Sequence, residues 1–447
     1  MEETPVDLPE VKLGAGEAGR SALPEKPSRL SPGALAVATS GNVLEWYDFT
    51  VYGFLAPTLA RVFFPSGDPS ASLLSAFGVL AVGYIARPIG SVIFGHIGDR
   101  IGRRPALIAS IFLMGAGSVS IGLLPGYEQV GLSAPVALVL IRVVQGISVA
   151  GEYTAAGVLI VEGAPKRSRA FVGSWLAFAM LIGCVLGSAI PASIASFTSQ
   201  EQLLAWGWRV PFLLGAVIAV VGGVLRKRLA ESSSMAPVSA RERSPVITAL
   251  RDHWGKIAQM IALLLPTAVI YFLIFVYAAS YLVDEMHFSA AQALDITTAN
   301  LLVIAVSALL VGRCADRYGA RAVLLWGAFA TLLFGWPLWW LMHRDSLALV
   351  FAGQFGFSVL NAIGWGLSIT VLTEMAPPGL RCSVVALGYN LCMAIFGGTT
   401  PMVATYLVAR SGDDFAPVYY VLMATLLSIP AILALPIRTA AAPGEVV

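Results

Sequence analysis

Long apolar runs recur along this chain from Pro32 onward, and short charged segments separate them. A helix of about 20 apolar residues spans the roughly 30 Å hydrocarbon core of a bilayer. Lipid offers no partner to backbone polar groups, so only helices and closed barrels cross it. Charged residues make up 12% of the chain, against about 25% in soluble proteins. The sequence therefore predicts an all-α membrane protein rather than a set of soluble domains.

Twelve such runs occur, and each predicts one transmembrane helix. Glycine and proline interrupt several of them, which membrane helices tolerate. The predicted spans are 33–60, 71–96, 105–125, 134–161, 170–196, 209–226, 257–283, 291–312, 322–342, 346–374, 382–409 and 416–437.

The distribution of lysine and arginine predicts the orientation of the spans, because cytoplasmic loops carry the basic excess. With the N-terminus inside, the outer connections hold only Arg61, Arg209, Arg344 and Arg410. Both termini are therefore predicted to be cytoplasmic, in a multi-pass protein of the cell membrane.

The longest polar connection divides the spans six and six. The predicted organisation is a disordered cytoplasmic tail, an N-terminal six-helix bundle, a cytoplasmic linker loop, a C-terminal six-helix bundle and a short cytoplasmic tail. These occupy residues 1–32, 33–226, 227–256, 257–437 and 438–447.

A duplicated pair of loop motifs relates the two halves. The first motif, Gly-x-x-x-Asp-Arg-x-Gly-Arg-Arg, contains Asp99 and recurs 217 residues later around Asp316. The second motif, Glu-x-Ala-Pro-x-x-x-Arg, starts at Glu162 and recurs 212 residues later at Glu374. Two motifs at nearly equal separation indicate an internal repeat. The sequence thus predicts two pseudo-symmetric six-helix bundles that face each other across a pseudo-two-fold axis.

The first loop motif resembles the signature of the major facilitator superfamily, which implies the major facilitator fold. Further segments resemble the metabolite:H+ symporter family, which includes proline/betaine, α-ketoglutarate, citrate and shikimate transporters. These segments are Gly41–Phe49, Arg87–Gly90, Gln145–Gly146, Gly151–Tyr153 and Trp206–Phe212. The resemblance covers about residues 33–437.

The chain departs from the family pattern in two places. Ala320 stands in the second loop motif where the first has Arg103, which predicts a weaker cytoplasmic gate in the second half. The chain also ends soon after the twelfth span. We therefore do not expect the charged coiled-coil tail of the osmosensing proline/betaine transporter, or osmotic regulation of that kind.

Five ionisable residues fall inside predicted spans, where a charge costs about 2.5–3.5 kcal/mol on insertion scales. They are Glu45, Asp48, Arg87, Arg142 and Glu152. Glu45 and Asp48 lie three residues apart on one face of the first helix, near the midplane. Two close carboxylates in a low dielectric disfavour double ionisation, so one of them can carry a proton. The alternative is that both only pair with arginines of neighbouring helices.

Arg142 is predicted to bind a substrate anion, because a guanidinium fork matches a carboxylate. Permanent pairing with a protein carboxylate is the alternative. Arg87 is a second candidate contact, or else it braces the gate through Pro88. Other polar-tipped side chains at plausible midplane depth are also candidate substrate contacts: Tyr271, Tyr277, Asn361, Trp365, Tyr389 and Asn390.

The inner loops predict a cytoplasmic gate. An aspartate at a helix end can accept bonds from the exposed N–H groups of a facing helix start, and arginines can bridge to acids at other helix ends. Such contacts hold the gate shut and break when it opens. The residues assigned to it are Asp99, Arg100, Gly102, Arg103, Arg104, Glu152, Glu162, Arg169, Asp316, Arg317, Arg321, Glu374 and Arg381.

The sequence holds no nucleophile–base pair, nucleotide loop or metal-ligand spacing, so we predict no enzyme activity, no metal and no cofactor. The proton gradient is the expected energy source. The net charge of +2 is too small to indicate a nucleic-acid partner. The expected partners are a small-molecule substrate, protons and the lipid bilayer, with the chain acting as a monomer.

These features predict a proton-coupled symporter that takes up a small organic acid or other carboxylate-bearing metabolite by alternating access. Symport of a zwitterionic osmolyte such as proline or betaine is an alternative, and an uncoupled facilitator or exchanger is another. Local similarities support both branches of the family. Gly151–Thr154 and Gly173–Leu176 resemble the osmolyte branch, whereas Thr373–Glu374 and Ala394–Pro401 resemble the citrate branch.

The charge asymmetry generates a test of orientation. In intact cells, an impermeant thiol reagent should not label a cysteine introduced at either terminus or in the 227–256 loop until the membrane is permeabilised. A cysteine at Gly67, in the predicted outer loop after the first span, is the positive control and should be labelled at once. Labelling of either terminus from outside would refute the predicted topology.

Overall fold

A computed structural model of the chain describes residues 32–100, 103–149, 152–217, 220 and 245–436. This part of the chain is helical and contains no strand. The N-terminal half contains α1 (Pro32–Phe54), α2 (Ala56–Phe63), α3 (Pro69–Ile85), α4 (Arg87–Arg100), α5 (Arg103–Leu123), α6 (Tyr127–Val130), α7 (Ser133–Ser148), α8 (Glu152–Gly163), α9 (Arg169–Phe197) and α10 (Gln200–Gln202). A π-helical turn at Leu203–Gly207 and helical residues 209–217 complete it.

The C-terminal half repeats the helical pattern. It contains α11 (Pro245–Asp252), α12 (Trp254–Tyr271), a π-helical turn (Phe272–Tyr277), α13 (Ala278–Asp284), α14 (Ala290–Tyr318), α15 (Ala320–Met342), α16 (Leu347–Met375), α17 (Arg381–Cys392), a second π-helical turn (Met393–Gly397), α18 (Thr400–Ser411) and α19 (Ala416–Leu433).

The helices follow the predicted spans in order. Nine helical stretches of the described residues are long and apolar enough to cross a membrane, and Ala109–Leu123 is apolar but shorter. The first span consists of α1 and α2, and the sixth is described only over 209–217. The predicted all-α fold with twelve membrane helices is therefore confirmed.

Several spans are less continuous than predicted. The first breaks at Leu55, between α1 and α2, and the second breaks at Ala86, between α3 and α4. Pro57 and Pro88 follow these breaks, and a proline removes a backbone donor and disfavours a helical residue before it. The predicted 227–256 loop is also partly helical, since α11 forms within it and α12 begins at Trp254.

The two halves meet along α9 and α14, which pack together over their length. Gly312 permits this close approach, because a Cβ there would lie 2.6 Å from the Ser174 hydroxyl and 2.8 Å from the Ala170 carbonyl. Gly319 joins α14 to α15 with a φ of 88°, a conformation that favours glycine. The two glycines of the second loop motif are therefore required for different reasons, Gly312 for close helix packing and Gly319 for its backbone conformation.

Asp316 makes the contact that the loop motif predicts for an aspartate at a helix end. Its two carboxylate oxygens accept hydrogen bonds from the backbone N–H groups of Ala170 and Phe171, at 3.0 and 2.9 Å. These N–H groups belong to the first turn of α9, where a helix has free donors and a positive dipole end. We call this end of the bundle the Asp316 end. The opposite end, where Arg61 lies near Ala195, is called the Arg61 end.

Two ion pairs also cross between the halves at the Asp316 end. Arg381 donates to Glu162 at 2.8 Å, and Arg169 lies 3.8 Å from Glu374. All four residues belong to the second duplicated motif. In each pair, the arginine of one motif copy contacts the glutamate of the other copy. The two ion pairs are therefore related by the pseudo-two-fold symmetry of the halves.

The remaining residues assigned to the gate are distributed differently. Arg321 donates to the Leu435 carbonyl at 3.1 Å, within the C-terminal half, and Arg317 lies over the ring of Tyr318. The side chains of the other members lie outside the described residues, so the predicted strength of the first motif over the second stays a prediction. These members are Asp99, Arg100, Gly102, Arg103, Arg104 and Glu152.

The Asp316 contact generates a prediction about the closed state. Asp316→Asn removes the charge that faces the α9 N-terminus, which should weaken closure of the Asp316 end by about 1–3 kcal/mol. Spin labels at native Cys382 and at an introduced cysteine replacing Lys166, with the other cysteines replaced, measure the separation of the halves there. The variant should show a new, longer distance in double electron–electron resonance.

Asp413→Asn is the matched control, because Asp413 is exposed in the loop before α19 and caps only local backbone. It should leave the distance distribution as in the parent. A parent-like distribution in Asp316→Asn would contradict a role for this carboxylate in closure.

Candidate functional site

Four charged side chains are buried together in the N-terminal half. Glu45 and Asp48 lie on α1, Arg87 begins α4 and Arg142 lies on α7, and each is at most 4% exposed. Among the described residues, they are the only Asp, Glu, Lys or Arg side chains in the buried core. We call these four residues the charge cluster. Two acids and two arginines give it a formal charge of zero.

Glu45 and Arg87 form a direct ion pair within this cluster. The Arg87 Nη1 atom lies 3.1 Å from Glu45 Oε1. The guanidinium also lies 4.3 Å from the ring centre of Phe49, 4.5 Å from that of Tyr84 and 5.7 Å from that of Trp46. Ring faces attract a desolvated cation, so these aromatic side chains are suitable neighbours for the Arg87 guanidinium.

Arg142 is held by a second set of contacts. Its Nη1 atom donates to Gln145 Oε1 at 3.0 Å, and Gln145 Nε2 donates to the Ser118 hydroxyl at 3.1 Å. Its guanidinium lies 4.1 Å from the ring centre of Tyr52. Asp48 is the acid near Arg142, and Ser118 is also close to it. Ser118 and Gln145 therefore link the second acid and the second arginine.

Glu45 and Asp48 are thus associated with different arginines, although they lie on one helix. The pairing with arginines that the sequence offers as an alternative is present at Glu45. The pairing does not exclude proton carriage, because an acid can exchange its arginine for a proton. Proton carriage by these acids stays a prediction.

An aromatic cluster joins the two halves beside the charges. Trp46 comes from α1, Tyr271 from α12 and Trp365 from α16. The three ring centres lie 5.7–6.1 Å apart, and each pair meets edge to face. The Tyr271 hydroxyl donates to Cys184 Sγ on α9 at 3.0 Å. We call Trp46, Tyr271 and Trp365 the aromatic triad.

Further aromatic pairs cross between the halves around the triad. Tyr84 meets Phe272 with ring centres 5.2 Å apart. Tyr153 stacks on Tyr389 at 4.7 Å. Both pairs are buried, so the charge cluster and the triad are enclosed in this conformation.

The sequence-predicted substrate contacts divide into three groups. Tyr271, Trp365 and Tyr389 are at the central interface with the arginines. Asn390 and Asn361 use their amides elsewhere, since one donates to Ser91 Oγ and the other to the Thr267 carbonyl. Tyr277 lies one and a half turns beyond Tyr271 and packs on Tyr281. The first group is the one that the structure brings together with Arg87 and Arg142.

Sequence reasoning missed several site residues. Trp46 follows Glu45 directly in the first-helix motif, so its position was a usable signal. Gln145 is three residues after Arg142, which places both on one helix face. Ser118 and Cys184 carry no sequence signal, because only the packing of α5 and α9 brings them here.

Several polar atoms at this site have no hydrogen-bond partner within the described part of the chain. They are Nε1 of Trp46 and Trp365, the hydroxyl of Tyr389, and the Nε and Nη2 atoms of Arg87 and Arg142. All can donate a hydrogen bond. Buried donors normally have acceptors, so this set is suited to a ligand that brings acceptor oxygens.

The fold and the site together define a class of protein. Two six-helix halves enclose a buried site of charged and aromatic residues, and contacts at the Asp316 end hold the halves together. A ligand can reach this site only if the halves move apart at one end. This arrangement is that of a secondary membrane transporter.

The comparisons with known proteins agree with this class. The profile described as Sugar (and other) transporter matches residues 34–243, and the profile of the Major Facilitator Superfamily matches residues 275–446. The proline/betaine transporter of Salmonella typhimurium is 33% identical over 89% of this chain and 81% of its own length. The glycine betaine/proline/ectoine/pipecolic acid transporter of Dickeya dadantii is similar to the same extent.

Solved structures show the same fold at lower identity. The xylose transporter of E. coli, in a partially occluded inward-open conformation, superposes with a TM-score of 0.72 at 19% identity. The match covers 90% of this chain and 97% of that one. This chain belongs to the major facilitator superfamily, and it is a multi-pass secondary transporter of a small molecule, not an enzyme.

Proposed function

We propose that this transporter is a proton symporter of a zwitterionic osmolyte of the betaine and proline class, in the cytoplasmic membrane. The observation that carries the proposal is the zero net charge of the buried cluster beside an aromatic triad. The relatives named for proline and betaine transport support this reading over the organic-acid reading that the sequence favours.

The charge balance discriminates between substrate classes. Two arginines are already balanced by Glu45 and Asp48, so a di- or tricarboxylate would leave uncompensated negative charge in a low dielectric. A zwitterion adds no net charge. The described core of the C-terminal half contains no buried acid or base that would change this balance.

The two ends of a zwitterion fit different parts of the site. Its carboxylate can accept from the unpaired donors of Arg87, Arg142 and Trp46, with charge-assisted bonds from the guanidiniums. Its ammonium can meet the ring faces of Tyr271 and Trp365, because aromatic faces attract quaternary ammonium groups. Such a substrate would bridge the halves, which couples binding to closure.

Proton binding can be coupled to substrate binding through Arg87. When Glu45 accepts a proton, it no longer balances Arg87, and the substrate carboxylate can take its place. When the proton leaves on the other side, Glu45 pairs with Arg87 again and displaces the carboxylate. Asp48 and Arg142 can act in the same way. One proton and one zwitterion then move together with one net positive charge, which lies on the substrate ammonium at the aromatic rings.

Direction follows from the basic residues of the loops. We assign the Asp316 end to the cytoplasm, so the described conformation is closed towards the cytoplasm by Asp316 and by the two ion pairs. Opening of this end requires those contacts to break.

Uptake into proteoliposomes tests the substrate class. With a proton gradient directed inward, betaine or proline should accumulate, and citrate or α-ketoglutarate in excess should not compete. Trp365→Leu should weaken the apparent affinity for betaine by about tenfold, because a desolvated cation–π contact contributes about 1–2 kcal/mol. Trp326→Leu, which alters a tryptophan that is 55% exposed, is the control. Accumulation of citrate instead of betaine would overturn the proposal.

The acids generate a separate prediction about coupling. Glu45→Gln and Asp48→Asn cannot release a proton, so the double variant should lose accumulation driven by a pH gradient. It should still exchange internal for external substrate, because exchange needs no net proton movement. Glu128→Gln, at an exposed acid on α6, should behave as the parent. Accumulation by the double variant under a pH gradient alone would show that these acids do not carry the proton.

A further inference from the structure

The seventh span changes its helix type next to the aromatic triad. It runs through α12, the π-helical turn Phe272–Tyr277 and α13. At the end of the turn, the Ala278 N–H donates to the Leu273 carbonyl, five residues back. When the i→i−4 hydrogen-bond spacing resumes in α13, the Ile274 carbonyl receives no hydrogen bond from a backbone N–H of the helix. A buried carbonyl without a donor is costly in a membrane protein.

Gln354 on α16 supplies the donor for this carbonyl. Its Nε2 atom donates to Ile274 O at 2.8 Å. Asn300 on α14 holds the other end of the same amide, since its Nδ2 donates to Gln354 Oε1 at 3.3 Å. Gln354 and Asn300 are fully buried. The π turn is therefore tied to two neighbouring helices by a chain of side-chain amides.

A second amide ties the same span on the other side of Tyr271. Asn361 lies seven residues after Gln354, two turns along the same face of α16. Its Nδ2 donates to the Thr267 carbonyl at 3.1 Å, next to Pro266 within α12. The two amides bracket Tyr271 and fix how it faces Trp365.

The outer part of this span also forms a wall between the halves. Ala279 and Val283 of α13 line a small cavity at the Arg61 end, opposite Phe54 and Leu55 of the N-terminal half. Any change in the π turn rotates α13 and so changes this wall. Each residue of an α-helix adds a rotation of about 100° and a rise of about 1.5 Å. Conversion of the π turn to a regular α-helical turn would therefore rotate and shift α13 by about one residue.

We propose that Gln354 is a positioning residue that latches the Arg61 end, by holding the π turn of the seventh span through the Ile274 carbonyl. Release of this bond lets the turn convert to an α-helix, and α13 then rotates away from the N-terminal half. The proposal requires alternating access, but it does not depend on the identity of the substrate or on the proton assignment.

Cys184 is a native reporter for this movement. It is fully buried at the triad and accepts a hydrogen bond from Tyr271, so a charged methanethiosulfonate reagent reaches it only when an end opens. The reporter chain replaces Cys314, Cys382 and Cys392 with serine or alanine. The reagent is added to each side of sealed membrane vesicles separately, and the rate of Cys184 modification is measured by mass spectrometry.

Gln354→Met keeps the side-chain volume but removes the donor. It should raise the Cys184 rate by about tenfold from the Arg61 side, since the lost bond to a buried carbonyl then destabilises the closed form. The rate from the Asp316 side should not rise. Ser358→Ala is the matched control on α16, because that hydroxyl bonds only the Gln354 backbone carbonyl, and it should leave both rates unchanged.

Asn300→Leu is a second variant that keeps the test decisive if Gln354→Met does not insert. It leaves the bond to Ile274 but frees the amide, so a smaller increase, about threefold, is expected from the Arg61 side. A parent-like rate in both variants would overturn the proposal. An equal increase from both sides would also overturn it, since that outcome indicates general loosening and no latch.

Discussion

The ion pair between Glu45 and Arg87 is the interaction on which the rest of the site depends. Removal of one partner from a buried pair costs about 3–5 kcal/mol, because the other charge is left uncompensated. The helices must therefore bring the partners close in every stable conformation, or else provide a substitute. A proton on the acid and a carboxylate from a ligand together are such a substitute.

Close helix packing makes these short contacts possible. A Cβ at Gly146 on α7 would lie 2.0 Å from the Gly83 carbonyl on α3. One at Gly183 on α9 would lie 2.4 Å from the Val43 carbonyl on α1. Lipid provides no hydrophobic driving force for helix association. Association is instead stabilised by tight van der Waals packing, which small residues permit. The glycine of the Gln145–Gly146 motif is thus required by the path of α7, which carries Arg142.

The same constraint connects the centre to the two ends. Charges stay balanced in the closed conformation, so the energy that opens one end is set by peripheral contacts and not by the core. At the Asp316 end these contacts are polar and lie between duplicated motifs. At the Arg61 end the wall is an aromatic and apolar segment of the seventh span, whose irregular turn is stabilised by amides.

Much of the fold could be predicted from sequence, because apolar run length is a direct consequence of bilayer thickness. The contact of Asp316 was also predictable. The basic excess of cytoplasmic loops explains the arginines of the motif, but it does not explain an aspartate and two glycines there. The breaks at Leu55 and Ala86 had a sequence signal in Pro57 and Pro88. The π turn had none, because a hydropathy pattern does not show which backbone carbonyls lose their hydrogen-bond donors. The triad was not predictable either, since Trp46, Tyr271 and Trp365 come from three distant segments.

The proposed substrate class shows where sequence reasoning reached its limit. Arg142 predicts a carboxylate ligand because of its guanidinium chemistry, but the balance of charges around it depends on which acids share its environment. That balance became visible only when Glu45 and Asp48 were placed beside Arg87, Arg142 and Ser118. That balance is one basis of the proposal of a zwitterion instead of an organic anion.

Charge movement on a solid-supported membrane tests the central claim most directly, because a zwitterion carries no net charge. Proteoliposomes hold the chain at equal pH inside and outside, without sodium, and a betaine concentration jump is applied. The account predicts a transient current of inward positive charge that the Glu45→Gln, Asp48→Asn double variant lacks. Betaine uptake by the parent chain without any current would contradict proton coupling at this site.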